Sequence, residues 1–535
     1  MKERILQGLQ TAIQSLQQQG LIPSDNQFIV QIERARDSKH GDYASNIAMI
    51  LAKTLKQNPL KLAEEIIKVC PKISGVGNIT VAAPGFINIT LSDQAYHGVA
   101  QEILLKGRDY GRSDLGKNQR IHIEVVSANP TGPLHVGHGR IAAYSASLAN
   151  VLEAGGYQVH REYYVNDAGR QMRILAVSVW LRYLELLGEK IRIPLSGYKG
   201  SYVTAIAQKL LNIHNDKFFR KFSEATAHLP EDNEEQKEAY VDALIQRAQD
   251  LLGNDFELVF QVGLTSMVDD IRDDLLGFGV ECQEWFFESQ LNHTGDIERG
   301  LEALKKADYL YERDGAVWFR SSELGDEKDR VVIRENGQPT YFASDIGYHL
   351  NKYERGFQHL FDVYGADHHG YAPRLRALVT ALGRDPENLY VLLVQFAILW
   401  RGKTKVSMST RAGEFVTLRE LREEVGNDAA RFFYIMRRRD QHLDFDLELA
   451  KSTSNDNPVY YIQYAHARIC SMIHQHEQRF GDVNRTLKLE SFAILTEPQE
   501  KDLLRVLSCF PEVIEQAVKT YEPSVIAHYL LELAN

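Results

Sequence analysis

Residues 121–165 read as strand, glycine-rich turn, helix and strand, and that order leaves few folds open. IHIEVVSA is apolar enough for a buried strand. A helix is predicted over 139–153, stopped by Gly155 and Gly156, and 157–165 reads as a second strand. Such a βαβ unit sets its strands parallel and puts the turn at a helix N-terminus, where wound sheets hold their ligands. Sheet signals return at 331–333, 360–364 and 390–396. The helix-rich stretch at about 170–334 therefore reads as an insertion between two halves of one nucleotide-binding fold.

The rest is arranged around that unit. Residues 1–110 read as a small α/β domain: a helix over 2–19, a strand over 27–32, a helix over about 45–56, and strand–turn–strand over 79–91, broken by Pro84 and Gly85. A polar link containing Gly107, Gly111, Ser113 and Gly116 leads into 111–418, and 419–535 reads as helical to the end. A chain of 535 residues has room for several cores. Its net charge of −11 excludes a protein that coats nucleic acid through bulk charge, though not one that reads a folded RNA. The start, MKERILQGLQ, is no secretion signal, and the longest apolar run, 390–400, is too short to span a bilayer and is interrupted by Gln395. No two of the four cysteines stand at CxxC spacing, which fits a reducing cytoplasm and provides neither a disulfide framework nor a zinc knuckle.

The turn itself is PTGPLHVGHGR, 130–140. His135 and His138, three apart at a helix start, can project to one side of the same turn, and Gly137 lets a nucleotide lie against the backbone. Two imidazole donors beside a helix N-terminus can stabilise charge building on an α-phosphate during in-line attack. A plain glycine-rich turn could carry the same two histidines; the strand ahead, the helix behind and the preceding ANPTGPL set this one apart.

The segment resembles the HIGH signature of class I aminoacyl-tRNA synthetases. Its flanks, together with REYYVNDAGRQM, HGDYASNIAM, APGFINI, GADHHGY, SMSTRAGEFVTL and NPVYYIQYAHARI, resemble the arginyl-tRNA synthetase family over nearly the whole chain. The resemblance implies an α/β, Rossmann-like catalytic domain with a helical insertion, a small α/β N-terminal domain touching the tRNA elbow, and an all-α C-terminal anticodon-binding domain. It implies ATP with Mg²⁺, L-arginine and arginine tRNA as ligands, no zinc, no membrane, a monomer and bound tRNA before activation.

For the amino acid, the resemblance implies Tyr341 and Asp345, four apart on one helical face, and Glu124 and Asn129. A guanidinium presents a planar fork of donors, so fixed carboxylates and an aromatic face suit it. For the nucleotide it implies Gly137, Gly365, Asp367, His368 and His369; a metal site at the Asp-His-His run is the rival reading. The second class I signature, KMSKS, aligns with 407–411, so both lysines are lost. Met408 and Ser409 stay with the nucleotide, and Arg411, helped by Lys405, with Lys403 nearby, is expected to supply the missing charge. For RNA, the expected contacts are Tyr460, Tyr464, Arg468 and Arg438, against a reading of the tyrosines as a helical core stripe. The last segment has an apolar face of Ile526, Leu530 and Leu533 where the family usually continues, so a shortened anticodon domain is expected. The rival function is a non-catalytic RNA-binding paralogue.

Overall fold

The computed structural model describes residues 1–23, 28–35, 37–406, 415–482 and 487–535. They fall into two units: Met1–Arg112 with Ala467–Val513 and Glu532–Asn535, and Ser113–His466 with Ile514–Leu531.

In the first unit, Lys2–Gln18 (α1) buries Ile5, Leu9, Ala12, Ile13 and Leu16 at helical spacing. Four strands, Glu33–Arg34 (β1), Tyr43–Ser45 (β2), Val76–Ala82 (β3) and Phe86–Leu91 (β4), form an antiparallel sheet in the order β1-β2-β4-β3. Helices Ile47–Leu55 (α2), Pro59–Val69 (α3) and Asp93–Lys106 (α4) complete it. Pro59 starts α3, and the Asn58 side chain caps its first free N–H groups. The strand expected over 27–32 lies later, at β1; residue 27 is outside the described residues, and the buried Val30 and Ile32 anchor a connection without ladder pairing.

The second unit is built on a parallel sheet of Arg120–Glu124 (β5), Gln158–Val165 (β6), Glu284–Phe287 (β7), His359–Gly365 (β11) and Leu389–Val394 (β12), in the order β12-β11-β5-β6-β7. Val136–Ala154 (α5) joins β5 to β6 and starts earlier than the predicted 139. The strand expected over all of IHIEVVSA stops at Glu124, because Val126 and Ser127 adopt left-handed φ of 63° and 48°. Such a backbone is costly for a β-branched residue and must be held from outside. Tyr164 N–H donates to Ser127 Oγ (3.0 Å) and Tyr163 O–H to the Ala128 carbonyl (2.7 Å), both from β6.

The stretch expected as a helical insertion contains Arg170–Leu186 (α6), Ser201–His214 (α7), Phe222–Ala225 (α8), Lys237–Leu252 (α9), Asp255–Gly277 (α10), Glu288–His293 (α11) and Asp296–Lys306 (α12). It also contains strands. β7 joins the parallel sheet beside β6, and Leu310–Arg313 (β8), Ala316–Phe319 (β9) and Arg330–Ile333 (β10) form a separate antiparallel sheet. The signal at 331–333 thus belongs to the small sheet, which buries Phe319 and Val332 in one cluster with Leu304 and Phe342.

Tyr341–Glu354 (α13) and Tyr371–Ala381 (α14) flank β11, and Ala397–Arg401 (β13) pairs antiparallel with Thr404–Lys405 (β14). The tail contains Leu418–Val425 (α15), Asn427–Ile435 (α16), Leu443–Asp446 (β15), Leu447–Lys451 (α17), Pro458–Phe480 (α18), Pro498–Thr520 (α19) and Ser524–Ala534 (α20). It is therefore not wholly helical: β15 pairs parallel with β13, where its alternating Leu443 and Phe445 are buried. Arg140, 1% exposed, donates to the carbonyls of Gln395, Arg438 and Gln441, which locks α5 onto both flanking segments. Among the described residues no helix is long and apolar enough to cross a membrane.

Candidate active site

α5 begins on its own histidines. His135 Nδ1 accepts the backbone N–H of Gly137 (3.1 Å) and of His138 (3.4 Å), and His138 Nδ1 accepts the N–H of His135 (3.3 Å). This is a capping box made from two imidazoles. Acceptance at Nδ1 puts the hydrogen of each neutral ring on Nε2. The rings stack with centroids 3.7 Å apart. Burial lowers the pKa of both, and with His135 alongside it takes His138 down to about 3. At neutral pH the pair is therefore two fixed, uncharged N–H donors.

The residues after the second signature lie along the first. His135 and Thr417 form an antiparallel bridge, with Val136 N–H donating to the Val416 carbonyl (3.2 Å) and Leu418 N–H to that of Leu134 (2.7 Å). Arg411, Met408 and Ser409 lie outside the described residues. Lys405 pairs with Trp400 in β14 and, like Lys403, is exposed.

Gly137 and Gly365 share a neighbour that sequence reasoning missed. A Cβ on Gly137 would lie 2.9 Å from His135 Cε1 and 3.7 Å from Phe396 Cδ1; one on Gly365 would lie 2.5 Å from Asp367 Oδ1 and 3.4 Å from Phe396 Cζ. Phe396 is 43% exposed, an open aromatic face bordered by the two glycines. Asp367, His368 and His369 follow β11 at the carboxyl edge of the sheet and are exposed.

Next to this edge is a cavity of about 380 Å³, walled by Asn129, Gln171, Tyr341, Asp345, His368 and Tyr371, with Tyr164, Asn166, Gly169 and Glu288 completing it. Tyr371 O–H donates to Asp345 Oδ2 (2.5 Å), and Asn129 Nδ2–H donates to Gln171 Oε1 (3.1 Å). Burial raises the Asp345 pKa. Glu288, at the start of α11, is 5% exposed, and burial, with Asp345 and Asp167 nearby, pushes its carboxyl up to about 6. Tyr164 is raised well above its ordinary value by burial and by Glu288, Asp345, Glu124 and Asp167 around it.

Three of the four expected amino-acid contacts, Asn129, Tyr341 and Asp345, thus share one cavity. Glu124 is placed differently. It is 4% exposed, and its Oε2 accepts from Lys352 Nζ at 3.0 Å, so its carboxylate is already engaged beneath the wall. Glu288, which sequence reasoning missed, is the acid that lines the cavity beside Asp345. His160, Glu162 and Glu284 bring ligand-type atoms within 4.8 Å of one another, but Arg355 Nη2 sits among them, 3.1 Å from His160 Nε2 and 2.8 Å from Glu284 Oε2. A guanidinium there leaves no room for a cation.

The family model for the catalytic domain of class I tRNA synthetases (R) matches residues 99–469; models for the arginyl-tRNA synthetase N-terminal domain and the DALR anticodon-binding domain match 3–91 and 462–535. The chain belongs to the arginyl-tRNA synthetase family. It is 52% identical over 538 residues to an arginine–tRNA ligase of Coxiella burnetii (strain CbuG_Q212), covering 100% of this chain and 91% of the relative. It is 53% identical to that of Legionella pneumophila (strain Corby), covering 100% and 92%. The arginyl-tRNA synthetase of Thermus thermophilus shares the fold, with a TM-score of 0.71 at 20% identity over 100% of this chain and 90% of that one.

Among the residues expected to contact RNA in this arginyl-tRNA synthetase-family chain, Tyr460 and Tyr464 stack on α18 with centroids 6.0 Å apart. Tyr464 is 45% exposed, which does not fit a core stripe. Arg438 is paired with Asp440 (2.9 Å), and Arg468, further along α18, is exposed.

Proposed function

We propose that the cavity of Asp345, Glu288 and Tyr341 holds the guanidinium of arginine while the Nε2–H groups of His135 and His138 hold the phosphates of ATP. As a member of its family the chain activates arginine with ATP and charges tRNA. The observation that carries the residue assignment is the meeting of the buried Glu288, the partly buried Asp345 and the aromatic Tyr341 in one cavity at the carboxyl edge of the sheet that also presents the imidazole pair. An arginine α-carboxylate oxygen forms a bond to the α-phosphorus, the bond from that phosphorus to the bridging oxygen breaks, and pyrophosphate leaves with its electron pair. No proton moves in this step. The imidazoles donate to the α-phosphate oxygens, where charge develops. Asn129 suits the α-amino and carboxylate end, and Phe396, between Gly137 and Gly365, suits the adenine face.

Bound with ATP, Mg²⁺ would screen the charge of the phosphates. The described residues around the two imidazoles offer N–H donors rather than a carboxylate cage, so it would be held mainly through ATP. Lys405 and Arg411 are the cations assigned to the departing pyrophosphate. The four free cysteines suit a reducing cytoplasm.

For tRNA, the stacked Tyr460 and Tyr464, with Arg468 and Arg438, suit loop bases of the anticodon arm. The elbow contact is assigned to a cavity of about 500 Å³ within the first unit, lined by Arg34, His40, Phe86 and Asn88 among others. Among the described residues, Arg34 Nη1 and Asn46 Oδ1 in its wall are buried without a partner, and both suit a bond to a splayed base.

The pKa of Glu288 tests the amino-acid assignment. With the empty pocket titrating near 6, a guanidinium must displace a proton below that pH. Arginine KM in ATP–pyrophosphate exchange is therefore expected to climb as pH falls through 6, by up to about tenfold per unit. Glu288→Gln raises KM above pH 6, approaches the wild-type value below it, and removes the part of the dependence centred there. An unchanged profile in that variant would take Glu288 out of the pocket.

A further inference from the structure

The parallel sheet aligns Asp362 of β11 with Glu124 of β5, Glu124 with Glu162 of β6, and Glu162 with Glu284 of β7. In-register neighbours of a parallel sheet point to the same face, so four carboxylates stand in one row across four strands. Like charges side by side on adjacent strands repel, and such a row survives only if cations neutralise it.

The sheet supplies two ring nitrogens to the row, His122 Nε2 3.0 Å from Glu162 Oε1 and His160 Nε2 3.0 Å from Glu284 Oε2, and the other counter-groups come from α13 or the residue that ends it. Lys352 is completely buried, and its Nζ donates to Asp362 Oδ1 (2.8 Å) and Glu124 Oε2 (3.0 Å). Burial disfavours its charge, but Asp362 and Glu124 more than offset that and hold it protonated. The ring nitrogens of His349 lie 3.0 Å from Asp362 Oδ2 and 2.8 Å from the backbone carbonyl of Asp345. Tyr348 O–H donates to Glu162 Oε1 (2.6 Å), and Arg355 reaches both Glu162 and Glu284. Positions 345, 348, 349, 352 and 355 form one stripe at helical spacing. The helix that carries Tyr341 and Asp345 into the arginine cavity is thus fastened along its length to the acid row.

We propose that Lys352 and Arg355 are positioning residues for arginine: their pairing with the Asp362–Glu124–Glu162–Glu284 row fixes the depth and rotation of α13, and so where the Asp345 carboxylate stands in the cavity. None of the four paired groups needs to touch the substrate for this. The inference rests on the assignment of Asp345 to the guanidinium. It predicts a separation of ligands, because ATP is held by α5, Phe396 and the segment after β11, none of which α13 supplies.

Lys352→Met keeps the length of the side chain and removes its charge. The expected result in tRNA-supported ATP–pyrophosphate exchange is an arginine KM raised about 30-fold with ATP KM within about twofold of wild type. Adding Asp362→Asn to Lys352→Met removes one stranded carboxylate and should bring arginine KM part of the way back. Arg355→Met, at the less buried end of the row, should raise arginine KM about fivefold without lowering the thermal midpoint enough to unfold the protein at assay temperature, and serves if Lys352→Met does not fold. Arginine KM unchanged in the folded variants, or arginine and ATP KM rising together, would overturn the proposal. If Asp345→Ala leaves arginine KM unchanged as well, the pocket assignment is what has failed; if Asp345→Ala raises it and Lys352→Met and Arg355→Met do not, the positioning role alone has.

Discussion

Replacing Asp345 by alanine is expected to lower kcat/KM for arginine by about 10³-fold while ATP affinity stays near wild type. That factor corresponds to about 4 kcal/mol. The acid is held by Tyr371 and lies in the cavity wall, and its ordinary pKa is raised by burial, which shows that water does not pay its charge in full. A guanidinium that enters gains a bidentate acceptor whose desolvation cost has already been met by the fold. Removal leaves Glu288 as the remaining buried acid, set against a fork that then has one arm unpaired. Equilibrium dialysis with ATP and with arginine separates the two effects. Equal weakening of both ligands would mean that Asp345 maintains the fold and does not recognise the substrate.

The second large effect is at the imidazoles. His135→Ala and His138→Ala are each expected to lower the rate of adenylate formation by about 10²- to 10³-fold, measured in single turnover, with a much smaller change in ATP affinity. The double variant should be only slightly worse than either single one, because each ring accepts a backbone N–H that orients the other, and residues acting as a unit are not additive. The rings act as neutral donors above their ordinary pKa, so no loss of rate from histidine deprotonation is expected between about pH 7 and 8. A rate that falls across that range with a single proton lost from His135 or His138 would show that a cation is at work.

The signature was legible because its chemistry is local. Two histidines three apart, a glycine between them, a strand before and a helix after are all contained in about thirty residues, and the observed βαβ unit follows that order. What the sequence hid was the capping: histidine is not a usual N-cap, so the start of α5 at His135 had no familiar marker. Asp314-Gly315, by contrast, was a readable sign. Both residues have positive φ, 52° and 75°, and they join β8 to β9 as a two-residue hairpin, yet the dipeptide sat in a stretch dominated by helical periodicity.

Glu288 could not be found in the same way. It follows the short strand EWFF, and it reaches the cavity only because that strand pairs with β6, more than a hundred residues earlier in the chain. Glu124 carries the opposite lesson. Its position at the end of β5 is as expected, but its role depends on Lys352, whose partner is set by strand register and helix packing. Phe396 gave no signal either, since an aromatic residue after a buried strand ordinarily reads as core.

The most direct measurement of the central claim is ATP–pyrophosphate exchange by the full chain with arginine tRNA present, comparing arginine with lysine. A cavity with Asp345 and Glu288 placed for a fork should favour arginine by at least about 10³-fold in kcat/KM, because a point ammonium leaves one buried acceptor unpaired. Exchange supported equally by lysine, or absent with arginine, would contradict the account.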